Sequence, residues 1–364
     1  MPRLLRTRPL FDRFESRALP RTDAGQPRQS EIRLPLVLVT NTAPHSVLAP
    51  LAGIARVVMG PTGGNPMARA EVLRLAPNLA GIISQGELDI DHELLVRAKE
   101  LRIVASASVG VDRLDLKLME RRGIYATNAP DYFVEATADF TLGLIIALLR
   151  RVPEADRYVR ARKWRNFQPG AWDGTLLRGK VLGLVGYGAI GHAVAARAGA
   201  FGLRVLHYQR TPSLEPGYTS LPRLLAAADI VSLHTPLNAG SRGMINAARL
   251  RRMKRGAWLI NVSRGPVVDE TALIQALDSG QLAGVALDVF ADEPRVPAAL
   301  RNRDNVVLTP HIGGGTCESR QHARLTCVRN VALALAGRRP SNLMNNPPSD
   351  ALGKWRTLSH LIPA

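Results

Sequence analysis

Gly186-Tyr187-Gly188-Ala189-Ile190-Gly191 has the spacing that cradles a pyrophosphate. A buried-strand pattern, Lys180 to Val185, leads into it. A helix pattern, Ala193 to Phe201, leads out, and a second strand pattern runs from Leu203 to His207. Each glycine has a steric reason. Gly186 permits the tight turn, Gly188 lets backbone approach the pyrophosphate, and Gly191 lets the helix pack close to the strand. The helix then turns its free N–H groups toward the phosphates. The spacing alone is weak evidence. In the order strand, glycine turn, helix, strand it predicts a dinucleotide site, with Tyr187, Ala189 and Ile190 among the contacts.

The end of the second strand bears on which dinucleotide. Enzymes that use NAD place Asp or Glu there, on the ribose hydroxyls. This chain has Gln209-Arg210-Thr211. A carboxylate would repel a 2′-phosphate, whereas Arg210 can bind one through a charge-assisted pair. The expectation is NADP in preference to NAD. The alternative is a solvated Arg210 and use of both.

Three later segments carry more polar chemistry: Leu259 to Glu270 with Arg264, Leu287 to Pro294 with Asp288 and Glu293, and Leu308 to Gly315 with His311 and Gly313. Each starts as an apolar strand run and ends in a loop, and ligands in α/β sheets bind beyond the carboxyl ends of strands. The elements that must hold these loops alternate along the chain. Strand patterns at Leu36–Val39, Gly81–Ile83, Ile103–Ala105 and Ile124–Ala126 are separated by helix patterns at Met67–Leu75, Glu93–Glu100 and Leu114–Arg122. That alternation predicts an α/β fold of parallel βα units. A helix expected from Phe133 to Arg151 is apolar on most faces and should lie buried between two bodies. A loop rich in Trp, Gly and Pro follows (Trp164 to Gly179), then a second βα series from Val181 to near His311. A last helix is expected from Glu318 to Ala336.

With Ser108-Val109-Gly110-Val111-Asp112, Leu233-His234-Thr235-Pro236-Leu237 and Met253-Lys254-Arg255-Gly256-Ala257, these motifs come in one order. From Leu36 to about Asn346 the chain resembles the D-isomer-specific 2-hydroxyacid dehydrogenase family. The resemblance implies two flavodoxin- or Rossmann-like domains with parallel sheets, the NAD(P)-binding domain (136–316) inserted into a substrate domain (35–135 and 317–346). Residues 1–34 would be a mobile extension and 347–364 a tail. It implies Arg264, Glu293 and His311 as the catalytic set. His311 would exchange a proton with the substrate oxygen. Glu293 would orient the ring and favour its protonated form. Arg264 would grip the substrate carboxylate and polarise the carbonyl. Val109 and Gly110 would offer backbone N–H groups to that carboxylate. Asp288 would lie near the nicotinamide carboxamide, and Thr137 would face the cofactor at the domain junction. His234, Thr235 and Pro236, then Val262, Ser263 and Gly313, complete the expected cofactor contacts. The reaction implied is interconversion of a small 2-keto acid and its D-2-hydroxy acid. Glyoxylate or hydroxypyruvate comes first, 2-ketogluconate second and an aryl-pyruvate third. A homodimer joined through the cofactor domains is implied as well.

Composition narrows the alternatives. With 46% hydrophobic residues, 364 residues can build two domains around real cores. The net charge of +18 is scattered arginine. It fits anionic ligands without a nucleic-acid motif, although a dinucleotide-sensing corepressor is a second class that this charge would suit. Cys317 and Cys327 make neither a disulfide framework nor a zinc site, no metal is expected, and a reducing cytoplasm fits. Asp12, Glu15 and Asp23 count against a mitochondrial transit peptide. The longest uninterrupted apolar run, Leu142 to Leu149, falls short of the ~20 residues that cross a bilayer.

Overall fold

The computed structural model describes residues 34–348. The expected extension before Leu34 and the tail from residue 349 lie outside the described residues. β1 (Leu36–Val39), β2 (Arg56–Met59), β3 (Leu79–Ser84), β4 (Ile103–Ser106) and β5 (Tyr125–Thr127) form one parallel sheet in the order β2-β1-β3-β4-β5. β6 (Val181–Val185), β7 (Arg204–Tyr208), β8 (Ile230–Leu233), β9 (Ala257–Asn261), β10 (Leu282–Leu287) and β11 (Val306–Leu308) form a second, in the order β11-β10-β9-β8-β6-β7. β1, β3, β4 and β6 are buried along their whole length, as strands covered on both faces must be. That is why their sequences read as unbroken apolar runs. β2 sits on an edge and exposes Arg56, which interrupts its apolar run.

In both sheets the strand order reverses beside the first strand. β6 lies between β7 and β8, so the connections on either side diverge and open a crevice at its carboxyl end. The glycine loop leaves β6 at that point.

Two long helices join the halves. The crossing helix, Asp131–Leu149, packs Leu142, Ile145 and Leu148 against Leu182, Leu184 and Ile260 of the second sheet. Its Phe133 belongs to the core of the first sheet. This helix has 19 residues and a mean hydropathy of 1.6, so length and composition alone would let it span a bilayer. The sequence expected this helix, apolar on most faces, to lie buried between two bodies. With 56% of that stretch buried among the two cores, its apolar character is accounted for by packing.

The return helix, Cys317–Leu335, starts on a reciprocal cap. Ser319 N donates to Thr316 Oγ1 and Thr316 N to Ser319 Oγ, both at 3.0 Å. Its Ala323, Cys327 and Val331 pack with Val37 and Ile83, back on the first sheet. Burial pushes the Cys327 thiol up, which keeps it inert, while Cys317 is exposed. Beyond the helix, Met344 N donates to Ala126 O at 2.8 Å and Asn345 bonds Ala126 N and the Ile124 carbonyl. The described residues therefore begin and finish on the first sheet, with the second inserted between. A short helix not singled out from sequence, Val152–Arg160, follows Arg151 at φ 54°.

Candidate active site

The site is built from loops at the carboxyl ends of both sheets. Asp288, directly after β10, is 1% exposed. Its Oδ1 accepts from Thr309 Oγ1 (2.6 Å) and Ile312 N (2.9 Å), and its Oδ2 from Gly313 N (2.8 Å). Its carbonyl accepts from His311 N at 2.9 Å. These bonds fix the turn after β11 and hold His311 in the left-handed region at φ 54°, which few side chains adopt unaided. A Cβ on Gly313 would lie 2.9 Å from Asp288 Oδ2, so the loop closes only around a glycine. Asp288 lines the cavity where a cofactor contact was expected, but both its oxygens serve the histidine loop.

His311 Nδ1 pairs with Glu293 Oε2 at 2.9 Å, and Glu293 Oε1 accepts from Phe290 N at 3.0 Å. Burial by itself would raise the Glu293 pKa. The bond and charge of His311, the Phe290 N–H and the charge of Arg264 outweigh it and hold the carboxyl below the usual carboxylate range. An ionised carboxylate accepts only, so Nδ1 must carry the proton of that bond. Nε2 is then the nitrogen left to trade a proton with a ligand.

Arg264 follows β9. Asn261 braces its loop, donating from Nδ2 to Arg264 O at 3.1 Å and accepting from Ser263 N and Oγ. A Cβ on Gly265 would stand 1.8 Å from Phe290 O, which excludes any other residue there. Arg264 shares one cavity with His311, Val109, Gly110 and Thr137. The N–H groups of Val109 and Gly110 have no partner among the described residues. The Thr137 hydroxyl donates to Phe133 O at 2.7 Å.

Two residues of the same cavity, Gln85 and Arg320, and one beside it, Asp112, were not read as functional from sequence. Arg320, on the return helix, donates to Gln85 Oε1 at 3.2 Å, and both face the cavity. Asp112 pairs with Arg264. The signal for Asp112 was its place in the 108–112 motif; Gln85 and Arg320 stood in no motif.

The residues present fit a dinucleotide. Gly186 has φ 98°, and a Cβ on it would meet His234 O at 2.4 Å. A Cβ on Gly191 would meet Gly186 O at 2.5 Å, so helix and turn touch backbone to backbone. A Cβ on Gly188 would meet nothing within 4 Å. That open space adjoins the N-terminus of the helix Ala189–Ala198, whose leading N–H groups have no side-chain cap. Ala189, Ile190, Val262 and Ser263 wall one branch of the cleft, with His234, Thr235 and Pro236. Tyr187, Gln209 and Arg210 wall the other; Thr211 is exposed beyond it. Tyr187 is fixed by stacking on His207, ring centroids 3.7 Å apart. Burial pushes His234 down to about 4, and its Nε2 pairs with Ser232 Oγ at 2.9 Å, so it lines the cleft as a neutral ring.

Residues 142–313 match the family model described as the D-isomer specific 2-hydroxyacid dehydrogenase, NAD binding domain. Over 322 residues the chain is 40% identical to a glyoxylate reductase of Thermofilum pendens, spanning 85% of this chain and 94% of that one. The chain belongs to the D-isomer specific 2-hydroxyacid dehydrogenase family. It is an oxidoreductase acting on CH–OH donors with a nicotinamide dinucleotide. Its fold is that of a Thermus thermophilus protein (TM-score 0.81, 43% identity, 85% of this chain and 99% of that one). It is also that of an NADPH-dependent glyoxylate/hydroxypyruvate reductase from Sinorhizobium meliloti, solved with NADP and malonate (TM-score 0.75, 32% identity, 85% and 96% covered).

Proposed function

We propose that this dehydrogenase reduces glyoxylate or hydroxypyruvate to the 2-hydroxy acid, with NADPH as its preferred donor. The observation that carries the reading is one cavity lined by Arg264, the Glu293-paired His311 and the unpartnered N–H groups of Val109 and Gly110. The nicotinamide, when bound, supplies the reducing equivalent to the keto carbon. The chain does the rest. Arg264 with the Val109 and Gly110 N–H groups binds the substrate carboxylate. His311 Nε2 delivers the proton to the carbonyl oxygen, and Glu293 keeps Nδ1 protonated and the ring aimed. The glycine loop and Arg210 would hold the dinucleotide. The far wall of the cavity is polar, with Gln85, Ser108 and Arg320. It suits the hydroxyl of hydroxypyruvate, leaves 2-ketogluconate second, and disfavours an aromatic ring. The relatives named glyoxylate reductase support glyoxylate as the substrate.

The cofactor preference rests on Arg210, which makes no ion pair or hydrogen bond among the described residues and faces the cleft. The test is a reductase assay of the purified chain on glyoxylate, hydroxypyruvate and 2-ketogluconate, each with NADPH and NADH. Arg210→Ala should raise the KM for NADPH about tenfold, the worth of a hydrogen bond to a charged group, and leave NADH nearly unchanged. Equal kcat/KM with both donors in the native chain would refute the preference.

The same proposal includes a division into domains at 135/136 and 316/317, a reducing cytoplasm for the two unpaired cysteines, and a homodimer. The dimer is supported by the segment after the crossing helix. Val152, Val159, Trp164, Phe167 and Leu176 are all exposed there, Phe167 by 83%. Such a density of large apolar groups marks an interaction face. Sedimentation equilibrium should give twice the chain mass, and Phe167→Asp with Trp164→Ser should give monomers. A native monomer at tens of micromolar would count against it.

A further inference from the structure

Arg264 is held from the other half of the molecule. Its Nε donates to both oxygens of Asp112 at 3.2 Å, and its Nη2 to Asp112 Oδ1 at 3.0 Å. Its Nη1 donates to Ser263 O at 2.8 Å. Guanidinium has five N–H donors. One on Nε, one on Nη2 and one on Nη1 are spoken for, which leaves one on each Nη. Those two can donate to a carboxylate as a parallel pair.

We infer that Asp112 is the positioning residue for substrate binding, gripping the side of Arg264 so that its remaining two donors are presented to the substrate carboxylate. The inference rests on the proposed function. Asp112 lies in the loop after β4 and Arg264 in the loop after β9, 152 residues apart and on different sheets. The pair therefore forms only when the two loops meet, and it ties the arginine's aim to the closeness of the halves. The side chains are 28% and 29% exposed, so the pair is shielded from much of the solvent that weakens surface bridges. Burial would raise the Asp112 pKa, but the bonds and charge of Arg264 hold it below the usual range and keep it ionised. Gly110 closes the arrangement. A Cβ there would stand 1.9 Å from Arg264 Nη2, so the guanidinium lies against a backbone whose N–H is free. The competing reading makes Asp112 a stand-in that occupies the substrate's place. Side-on engagement argues against that, because it spares the two donors a substrate would use.

The test compares native chain, Asp112→Ala and Asp112→Asn, all full length. Three quantities are measured: KM and kcat for glyoxylate, the Kd of oxamate in the presence of dinucleotide, and the Kd of the dinucleotide alone. In Asp112→Ala the KM and the oxamate Kd should rise together by about tenfold or more, as for loss of a charge-assisted contact. The effect on kcat should be much smaller, and the dinucleotide Kd should hold. Asp112→Asn keeps an acceptor for Nε and should recover part of the loss. It also carries the test alone if the alanine variant fails to fold. Unchanged oxamate affinity in the variants overturns the inference. Tighter oxamate binding overturns it in favour of the stand-in. If the native chain reduces no keto acid, the functional proposal fails separately, and oxamate binding still judges Asp112.

Discussion

His311→Ala should lower kcat by about three orders of magnitude, within the range a positioned general acid contributes, while the dinucleotide still binds. The Nδ1 bond to Glu293 leaves only Nε2 for the substrate oxygen, and no other imidazole lines that cavity. The backbone complicates the choice of variant. His311 sits at φ 54°, where alanine costs about 1–2 kcal/mol. His311→Asn is the cleaner replacement, because Asn enters the left-handed region more readily. Both variants should show the same catalytic loss, and only the alanine should show a lowered melting temperature. Near-normal turnover in a folded His311→Asn protein would remove the proton-transfer role and with it the proposed mechanism.

How much of this was legible beforehand depended on the range of each interaction. The glycine loop is local. Turn, close approach and helix packing all act within six residues, so strand, loop and helix could be read together. The buried strands announced themselves for the same reason, and the edge strand β2 did not. Asp288 shows the limit. The sequence suggested a cofactor contact, and the carboxylate also accepts from Thr309, Ile312 and Gly313, donors more than twenty residues on. Only the side-by-side placement of β10 and β11 brings them there. Asp112 lay in plain view within a recognised motif, yet its partner stands on the other sheet. No periodicity records a pairing across a cleft. The crossing helix could be read as buried between two bodies, since an apolar 19-residue segment is what two facing cores require.

Arg264→Leu should cut kcat/KM by two to four orders of magnitude, mostly through KM. Two effects add. The substrate carboxylate loses a bidentate pair, in which each hydrogen bond to a charged group is worth roughly 1.5–3 kcal/mol. Asp112 also loses the guanidinium that kept its shielded carboxylate compensated, and an orphaned anion at the cavity wall repels an anionic substrate. Arg264→Lys separates charge from shape. An ammonium is a point charge without the fork, and Asp112 would capture it. The lysine variant should therefore recover little of the lost affinity. The second effect has its own signature. In Arg264→Leu with Asp112→Asn the orphan charge is gone, so the double variant should bind substrate better than Arg264→Leu alone. Such non-additivity is expected of residues in contact or in one salt-bridge network. Additive losses in that cycle, or a lysine variant close to native, would mean that Arg264 acts by charge alone and that its held orientation does not matter.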